Sequence, residues 1–284
     1  MNQLPPEIGP TTEAVLKLSQ RITPDTADEV RHLTLDVLDS GFQFVAGQSV
    51  GVVVPGPHPF GNSHHVRRYS IANGQESSAG ATLDILVRRC FYLDEVSGER
   101  YPGIASNYLC DARPGDRFTL SGPYLSPFRM PQNDDANLLM IGTGTGIAPF
   151  RAFVQHIYEH QGGWRGQVRL YYGGRSGLDL MYANDEISDL ANYYDDKTFK
   201  AFRALGTRPL TTSSQALAQG LADHAAETWQ LINEPDTHVF LSGLGKVAQV
   251  FDRVMAEQAG SPETWQQLKR HLIEDGRWSE LMYD

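Results

Sequence analysis

The feature that most constrains this chain is a change of hydrophobic period partway along it. From about residue 28 to 122, short apolar alternations are broken by turns. Leu33, Leu35 and Val37 alternate with polar neighbours in LTLDV, GQSVGVVV is rich in β-branched residues, and ATLDILVRR puts Leu83, Ile85 and Val87 on one face. Gly and Pro clusters at PGPHPFG and ARPGD separate these runs, so an antiparallel β-barrel is expected. From about residue 136 strands alternate with helices: NLLMIG precedes APFRAFVQHIYEH, QVRLYYGG precedes YANDEISDLANYY, and THVFLSG precedes VAQVFDRVMAEQ. Such β-then-α alternation builds a parallel sheet flanked by helices. The polar stretch 126–137, with two prolines, marks the seam. The expected organisation is an N-terminal extension over 1–27, a β-barrel domain over 28–130 and an α/β nucleotide-binding domain over 131–284.

Bulk properties exclude some functions. A net charge of −10 and a pI near 5.3 argue against a nucleic-acid binder, which carries a basic stripe. Cys90 and Cys110 are too few for a four-thiolate cluster or a thiolate zinc site, and no metal is expected. The first twenty residues lack the basic start and apolar core of a signal peptide, and no apolar run approaches the roughly 20 residues that span a bilayer. The expectation is a cytoplasmic protein without a membrane span.

One stretch suggests chemistry. In IGTGTGIAPFRAF, residues 141–153, Gly142, Gly144 and Gly146 alternate, and Ile147 stands where the G-x-G-x-x-G fingerprint has its third glycine. A buried strand, a glycine loop and Pro149 in the first turn of a helix leave backbone amides and a helix N-terminus facing an anion such as a pyrophosphate. Glycines permit that close approach.

Four further segments, RRYSIAN at 67–73, VRRCFY at 87–92, GIASNYLCDARPGD at 103–116 and LSGLGKVAQVFDRVM at 241–255, occur in order around this loop. Together they resemble the plant-type ferredoxin–NADP reductase superfamily, from about residue 42 to the end. The resemblance implies an FAD-binding barrel followed by an NADP-binding α/β domain. It implies that Arg67 binds the FAD pyrophosphate, that Tyr69 lies against the flavin and that Ser70 sits near its hydride-accepting nitrogen. Tyr92 would stack on the adenine, and Ser106 with its flanking amides would make a second pyrophosphate contact, Ala105 replacing the usual cysteine. Thr143, Gly144, Gly146 and Pro149 match the NADP pyrophosphate loop. The segment YYGGRSGLDLMYANDE is similar to that of diflavin reductases, in which Arg175 would meet the pyrophosphate.

Three departures limit what carries over. The family places a cysteine beside the nicotinamide in C-G-L, and this chain has Ser242, Gly243 and Leu244. Thr207 and Arg208 supply a candidate pair for the 2′-phosphate, but the lysine and tyrosine that usually follow are missing from TTSSQALAQGLADH. No acidic residue closes VRLYYGG, as NAD sites often require. NADPH is the expected donor, with NADH open. The family ends W-x-x-E-x-Y and this chain ends WSELMYD, so Tyr283 is the flavin-covering aromatic, Leu281 takes the glutamate's place, Glu280 points to the other strand face and Asp284 has no assigned role.

The resemblance implies an oxidoreductase that moves electrons between NADPH and a one-electron carrier, ferredoxin or flavodoxin, with Ser70, Ser242 and Tyr283 as the residues at the reaction. Arg88, Arg89, Arg113, Arg117, Lys269 and Arg270 are candidates for the surface that meets an acidic carrier. The reductase of an oxygenase or epoxidase system, a free-flavin or quinone reductase, and a non-catalytic flavin- or nucleotide-binding protein are the alternatives. The choice between monomer and dimer stays open.

Overall fold

The structure, a computed structural model, describes residues 8–58, 61–182, 190, 198–206 and 211–283. It divides into two units, Met1–Ser126 and Pro127–Asp284. The first unit runs β1 (Thr11–Arg21), β2 (Val30–Val37), β3 (Ser49–Pro55), β4 (His64–Ser77), β5 (Gly80–Arg88), β6 (Phe91–Leu93), β7 (Arg100–Pro102), α1 (Ile104–Asp111) and β8 (Arg117–Tyr124). Six strands close an antiparallel barrel in the order β1-β2-β5-β4-β3-β8, and β6 and β7 form a separate two-stranded sheet.

The expected alternations point into the barrel. Leu33, Leu35, Leu83, Ile85 and Val87 are fully buried in one cluster, and α1 packs Ala105, Leu109 and Cys110 against it. Truncating one of these leucines to alanine would cost about 2–5 kcal/mol. Burial pushes the Cys110 thiol up to about 12, so it stays protonated and inert.

Residues 11–21, expected in an extension, instead form strand β1, which pairs with both β2 and β8. Without β1 those two strands would be open edges. Ala14 and Leu16 of β1 join the barrel core, and then a register shift between Leu16 and Leu18 turns Leu18 out to solvent. That bulge interrupts the period of two, which is why the sequence does not display the strand.

The second unit runs β9 (Asn137–Thr143), α2 (Ile147–Gln155), β10 (Val168–Gly174), β11 (Phe199–Leu205), α3 (Ser213–Asp223), α4 (Ala225–Ile232), β12 (Thr237–Gly243), α5 (Lys246–Gln258), α6 (Pro262–Glu274) and β13 (Trp278–Met282). Its five strands are parallel, in the order β11-β10-β9-β12-β13. From β9 the chain moves outward one way through β10 and β11, then returns to place β12 on the other side of β9. The carboxyl ends of β9 and β12 are therefore a topological switch point, where open parallel sheets bind ligands. The helix expected over 182–194 lies largely outside the described residues.

The expected boundary after residue 130 falls earlier, between Ser126 and Pro127. Phe128 is the physical reason: it is buried among Phe150 and Phe153 of α2 and Phe240 of β12, with ring centroids 5.3–6.2 Å apart. All four tryptophans also belong to the second unit. Trp265 is fully buried and Trp278 meets it edge-on at 5.8 Å. No helix among the described residues is long and apolar enough to cross a membrane.

Candidate functional site

In the first unit the sequence-predicted residues lie on β4, at the start of α1 and on the β6–β7 hairpin. On β4, strand alternation puts exposed Arg67 and half-buried Tyr69 on one face, and buried Ser70 on the other with Arg68. The Arg68 guanidinium sits 3.9 Å above the Tyr124 ring. Burial pushes the Tyr69 phenol up, so it is neutral at any physiological pH.

Ser106 is not an open contact: its hydroxyl donates to the Gly103 carbonyl (3.3 Å) and accepts from the Cys90 amide (3.1 Å). What helix α1 offers instead is its first turn of backbone amides, because Gly103 at the N-cap makes no side-chain cap bond. A side chain at Gly103 would crowd Ser106 Oγ at 2.9 Å and the Cys90 carbonyl at 3.2 Å, so the approach must stay bare. The helix is fixed by Arg89, which donates to Glu29 (2.7 Å), Asn107 (2.9 Å) and Asp111 (2.8 Å).

A cavity of about 520 Å³ opens beside the hairpin, lined among others by Glu29, Arg88, Cys90, Phe91, Tyr92 and Arg100. Tyr92 is 55% exposed and stacks on Tyr101 at 5.5 Å with rings 21° apart. Arg100 lies 3.7 Å over the Phe91 ring.

In the second unit the structure brings Thr143, Gly144, Gly146, Ser242, Gly243 and Tyr283 together at the switch point. The register aligns Gly142 with Tyr172 on one side and with Ser242 on the other. The loop is pressed onto the end of β12: a Cβ on Gly146 would stand 2.5 Å from the Ser242 carbonyl oxygen, and one on Gly243 would stand 2.9 Å from Thr143 Oγ1. Gly144 is the opposite case, with a φ of +57° and nothing within 4 Å of the side chain it lacks. The loop thus closes against protein at Gly146 and opens to solvent at Gly144. Pro149 lies in the first turn of α2, all nine of whose residues are buried.

The Tyr283 amide donates to the Gly243 carbonyl at 2.8 Å, and the Ser242 hydroxyl donates to the Tyr283 phenol at 3.4 Å. Leu244, next along, is 52% exposed. Arg175 follows β10 as an exposed side chain 3.4 Å from Asp179, whose carboxylate caps the turn at Ser176. Thr207, Arg208 and Asp284 lie outside the described residues.

Two features escaped the sequence. Tyr172, fully buried, donates from its phenol to the Gly144 carbonyl at 3.0 Å. A polar tip at a buried strand end, one residue before two glycines, was the available signal. Glu280 accepts from Trp278 Nε1 (2.7 Å) and lies 3.5 Å from Lys269, which also bonds both oxygens of Asp252 (2.9 and 3.0 Å). It thus faces α6, while Ser279 on the other strand face bonds the Pro127 carbonyl at 3.0 Å.

Several expected surface cations are also engaged. Arg89 is held as described, Arg117 pairs with Glu13 at 2.9 Å, and Lys269 is enclosed by Asp252 and Glu280. Arg88, Arg113 and Arg270 are exposed and in no ion pair among the described residues.

Known proteins resemble this chain in sequence and in fold. The family profile described as Oxidoreductase NAD-binding domain matches residues 140–252. A ferredoxin–NADP reductase of Thermosynechococcus vestitus is 31% identical over 262 residues, covering 89% of this chain and 68% of that protein. One of Synechocystis sp. is 31% identical over 264 residues, but the chain spans only 63% of its length. Among solved structures, a ferredoxin-NADP+ reductase from Plasmodium falciparum superposes with a TM-score of 0.73 over 96% of both chains at 16% identity, a likeness of fold.

Proposed function

The chain belongs to the ferredoxin–NADP reductase family, and from that premise we propose that it is an FAD-dependent oxidoreductase passing electrons between NADPH and ferredoxin. The observation that carries this reading is the glycine loop seated on Ser242 and Gly243 at the switch point, with open space at Gly144. A bare backbone with a helix N-terminus behind it suits a diphosphate. Thr143, Gly144, Gly146 and Pro149 form that cradle, and Arg175 adds a cation at the adjoining strand end. Ser242, Gly243, Leu244 and Tyr283 line the nicotinamide end.

The first unit fits FAD by its donor set. Exposed Arg67 and the uncapped amides of α1 suit a diphosphate, the neutral Tyr69 ring suits an isoalloxazine face, and Tyr92 beside an open cavity suits an adenine. Ser70 supplies a hydroxyl near the reacting ring. FAD held there would supply hydride acceptance and one-electron release, chemistry that no side chain here supplies. The chain's share is positioning: Tyr283 covers the place the nicotinamide must take and swings aside to admit it. Leu281 leaves no carboxylate on that strand face. Thr207 and Arg208 are proposed for the 2′-phosphate.

Arg88, Arg113 and Arg270 are the cations available to an acidic carrier. Ferredoxin is the proposed acceptor, and flavodoxin or a dedicated oxygenase ferredoxin would read out as a different partner preference.

The test is an anaerobic titration of the purified yellow protein with NADPH and separately NADH, followed by addition of ferredoxin. Bleaching of the flavin by NADPH and reoxidation by ferredoxin are expected. A colourless protein that takes up no FAD, or a flavin that neither nucleotide bleaches, would overturn the reading.

A further inference from the structure

The switch point has a tie that its fold does not require. Tyr172 stands third from the end of β10, and its phenol is buried although the two residues that follow it in the strand are glycines. The hydroxyl donates to the Gly144 carbonyl at 3.0 Å, and two residues beyond Tyr172 the strand runs directly into the turn that carries Arg175. Both ends of that bridge matter. Gly144 is the loop residue with left-handed backbone and open space beside it. The turn begins at Arg175 and Ser176, is capped by Asp179 and closes where the Leu180 amide bonds the Gly177 carbonyl at 3.2 Å.

A second strut holds the same turn. Tyr182 adopts φ +62°, a conformation a bulky side chain takes only at a cost of about 1–2 kcal/mol. Its ring lies 4.4 Å beneath the buried Arg151 guanidinium of α2, the helix that the glycine loop opens. Strain persists where the surroundings over-determine a conformation, commonly at ligand clamps. The turn that carries Arg175 is thus fastened to the loop by Tyr172 and to the helix by Tyr182.

We propose that Tyr172 is a positioning residue for dinucleotide binding: its phenol locks the Arg175 turn to the Gly144 loop, so that guanidinium and backbone amides meet one diphosphate together. The inference rests on the reading that this loop takes a nicotinamide dinucleotide. With the tie gone, each half still exists, but the two halves no longer share a fixed spacing. The ligand would then bear the ordering cost that the tie removes beforehand.

The test compares Tyr172→Phe with Tyr171→Phe, in which an equally buried phenol is lost from the opposite face of β10, where it accepts from Thr228 at 2.9 Å. Tyr172→Phe is expected to weaken NADP+ by about fivefold to tenfold, the value of one buried hydrogen bond or slightly more, with kcat at saturation within about twofold. Adenosine 2′-monophosphate, which has no diphosphate, should bind both variants as it binds the native protein. Tyr171→Phe should leave NADP+ affinity unchanged.

Equal NADP+ affinity in Tyr172→Phe, or equal weakening of NADP+ and adenosine 2′-monophosphate, overturns the inference while the native protein's binding upholds the reading of the loop. A native protein that binds no dinucleotide overturns both. Should Tyr172→Phe fail to fold, amide exchange of the native protein decides. NADP+ must slow the Leu180 amide of the turn along with Gly144–Gly146, and an unmoved Leu180 would overturn the tie.

Discussion

The Ser242 hydroxyl donates to the Tyr283 phenol across 3.4 Å, joining the end of β12 to the residue after β13. The bond is long, yet it is reinforced by the Tyr283 amide on the Gly243 carbonyl at 2.8 Å. The aromatic ring is thereby held over the one strand end that also braces the glycine loop.

Replacing that ring should free the crevice. Tyr283→Ser is expected to bind NADP+ on the order of tenfold more tightly, equivalent to about 1.4 kcal/mol no longer spent on displacing the ring. Discrimination between NADPH and NADH should narrow, because the nicotinamide common to both would contribute more of the binding. Calorimetric titration with each nucleotide reads this out, and unchanged or weaker binding would show that the ring is no obstacle.

Gly144 and Gly146 should respond differently to the same methyl group. Gly146→Ala drives a Cβ to 2.5 Å from the Ser242 carbonyl oxygen, so the loop must leave β12. Loss of dinucleotide binding and a clear drop in Tm are expected. Gly144→Ala meets no atom and incurs only the left-handed backbone cost, about 1–2 kcal/mol. Melting curves with and without NADP+ would expose any failure of this contrast.

Glu280 is tied into the lysine and tryptophan cluster, on the face of β13 opposite Ser279 and Leu281. Glu280→Gln should lower the stability of the second unit by about 1–3 kcal/mol, the cost of leaving a partly buried partner unmatched, while the pH profile of turnover keeps its shape. A displaced limb in that profile would give Glu280 a chemical role.

Acid should loosen the barrel through Glu29. Burial works to raise its pKa, but hydrogen bonds from Arg89 and Arg31 outweigh burial and hold the carboxyl below its ordinary 4.5. A group whose folded value is depressed contributes stability above the ordinary value and loses it as the pH falls through the folded one. The barrel should therefore weaken below about pH 4, with α1 loosening as Arg89 loses its partner. In Glu29→Gln the acid limb of far-ultraviolet dichroism melts should flatten, and an identical limb would remove Glu29 from the account.

Much of this architecture is legible in the sequence because burial writes its period into the chain. Leu33, Leu35, Leu83 and Ile85 declare the barrel by alternation, and the apolar runs ending in Gly142, Gly174 and Gly243 declare parallel strands buried on both faces. β1 was not legible, since its bulge at Leu16 and Leu18 breaks the alternation. The seam was displaced because Phe128 reads as part of a polar linker until its three aromatic partners are seen. At the site, glycine spacing announces a cradle, but which glycine faces ligand and which faces protein depends on β12, nearly a hundred residues away. Ser106 illustrates the limit most plainly: a hydroxyl beside a helix start looks like a ligand donor, whereas here it stitches Cys90 to Gly103.

The placement of Trp164, Trp229, Trp265 and Trp278 in a single unit makes the protein's own light selective. Intrinsic emission excited at the indole band originates in the nucleotide-binding half, because the barrel unit contains no tryptophan. A barrel that opened first would leave the wavelength of the tryptophan emission in place, whatever its intensity did as flavin departed. Emission wavelength and flavin release, recorded on one sample, would therefore time the two halves without any dye or label.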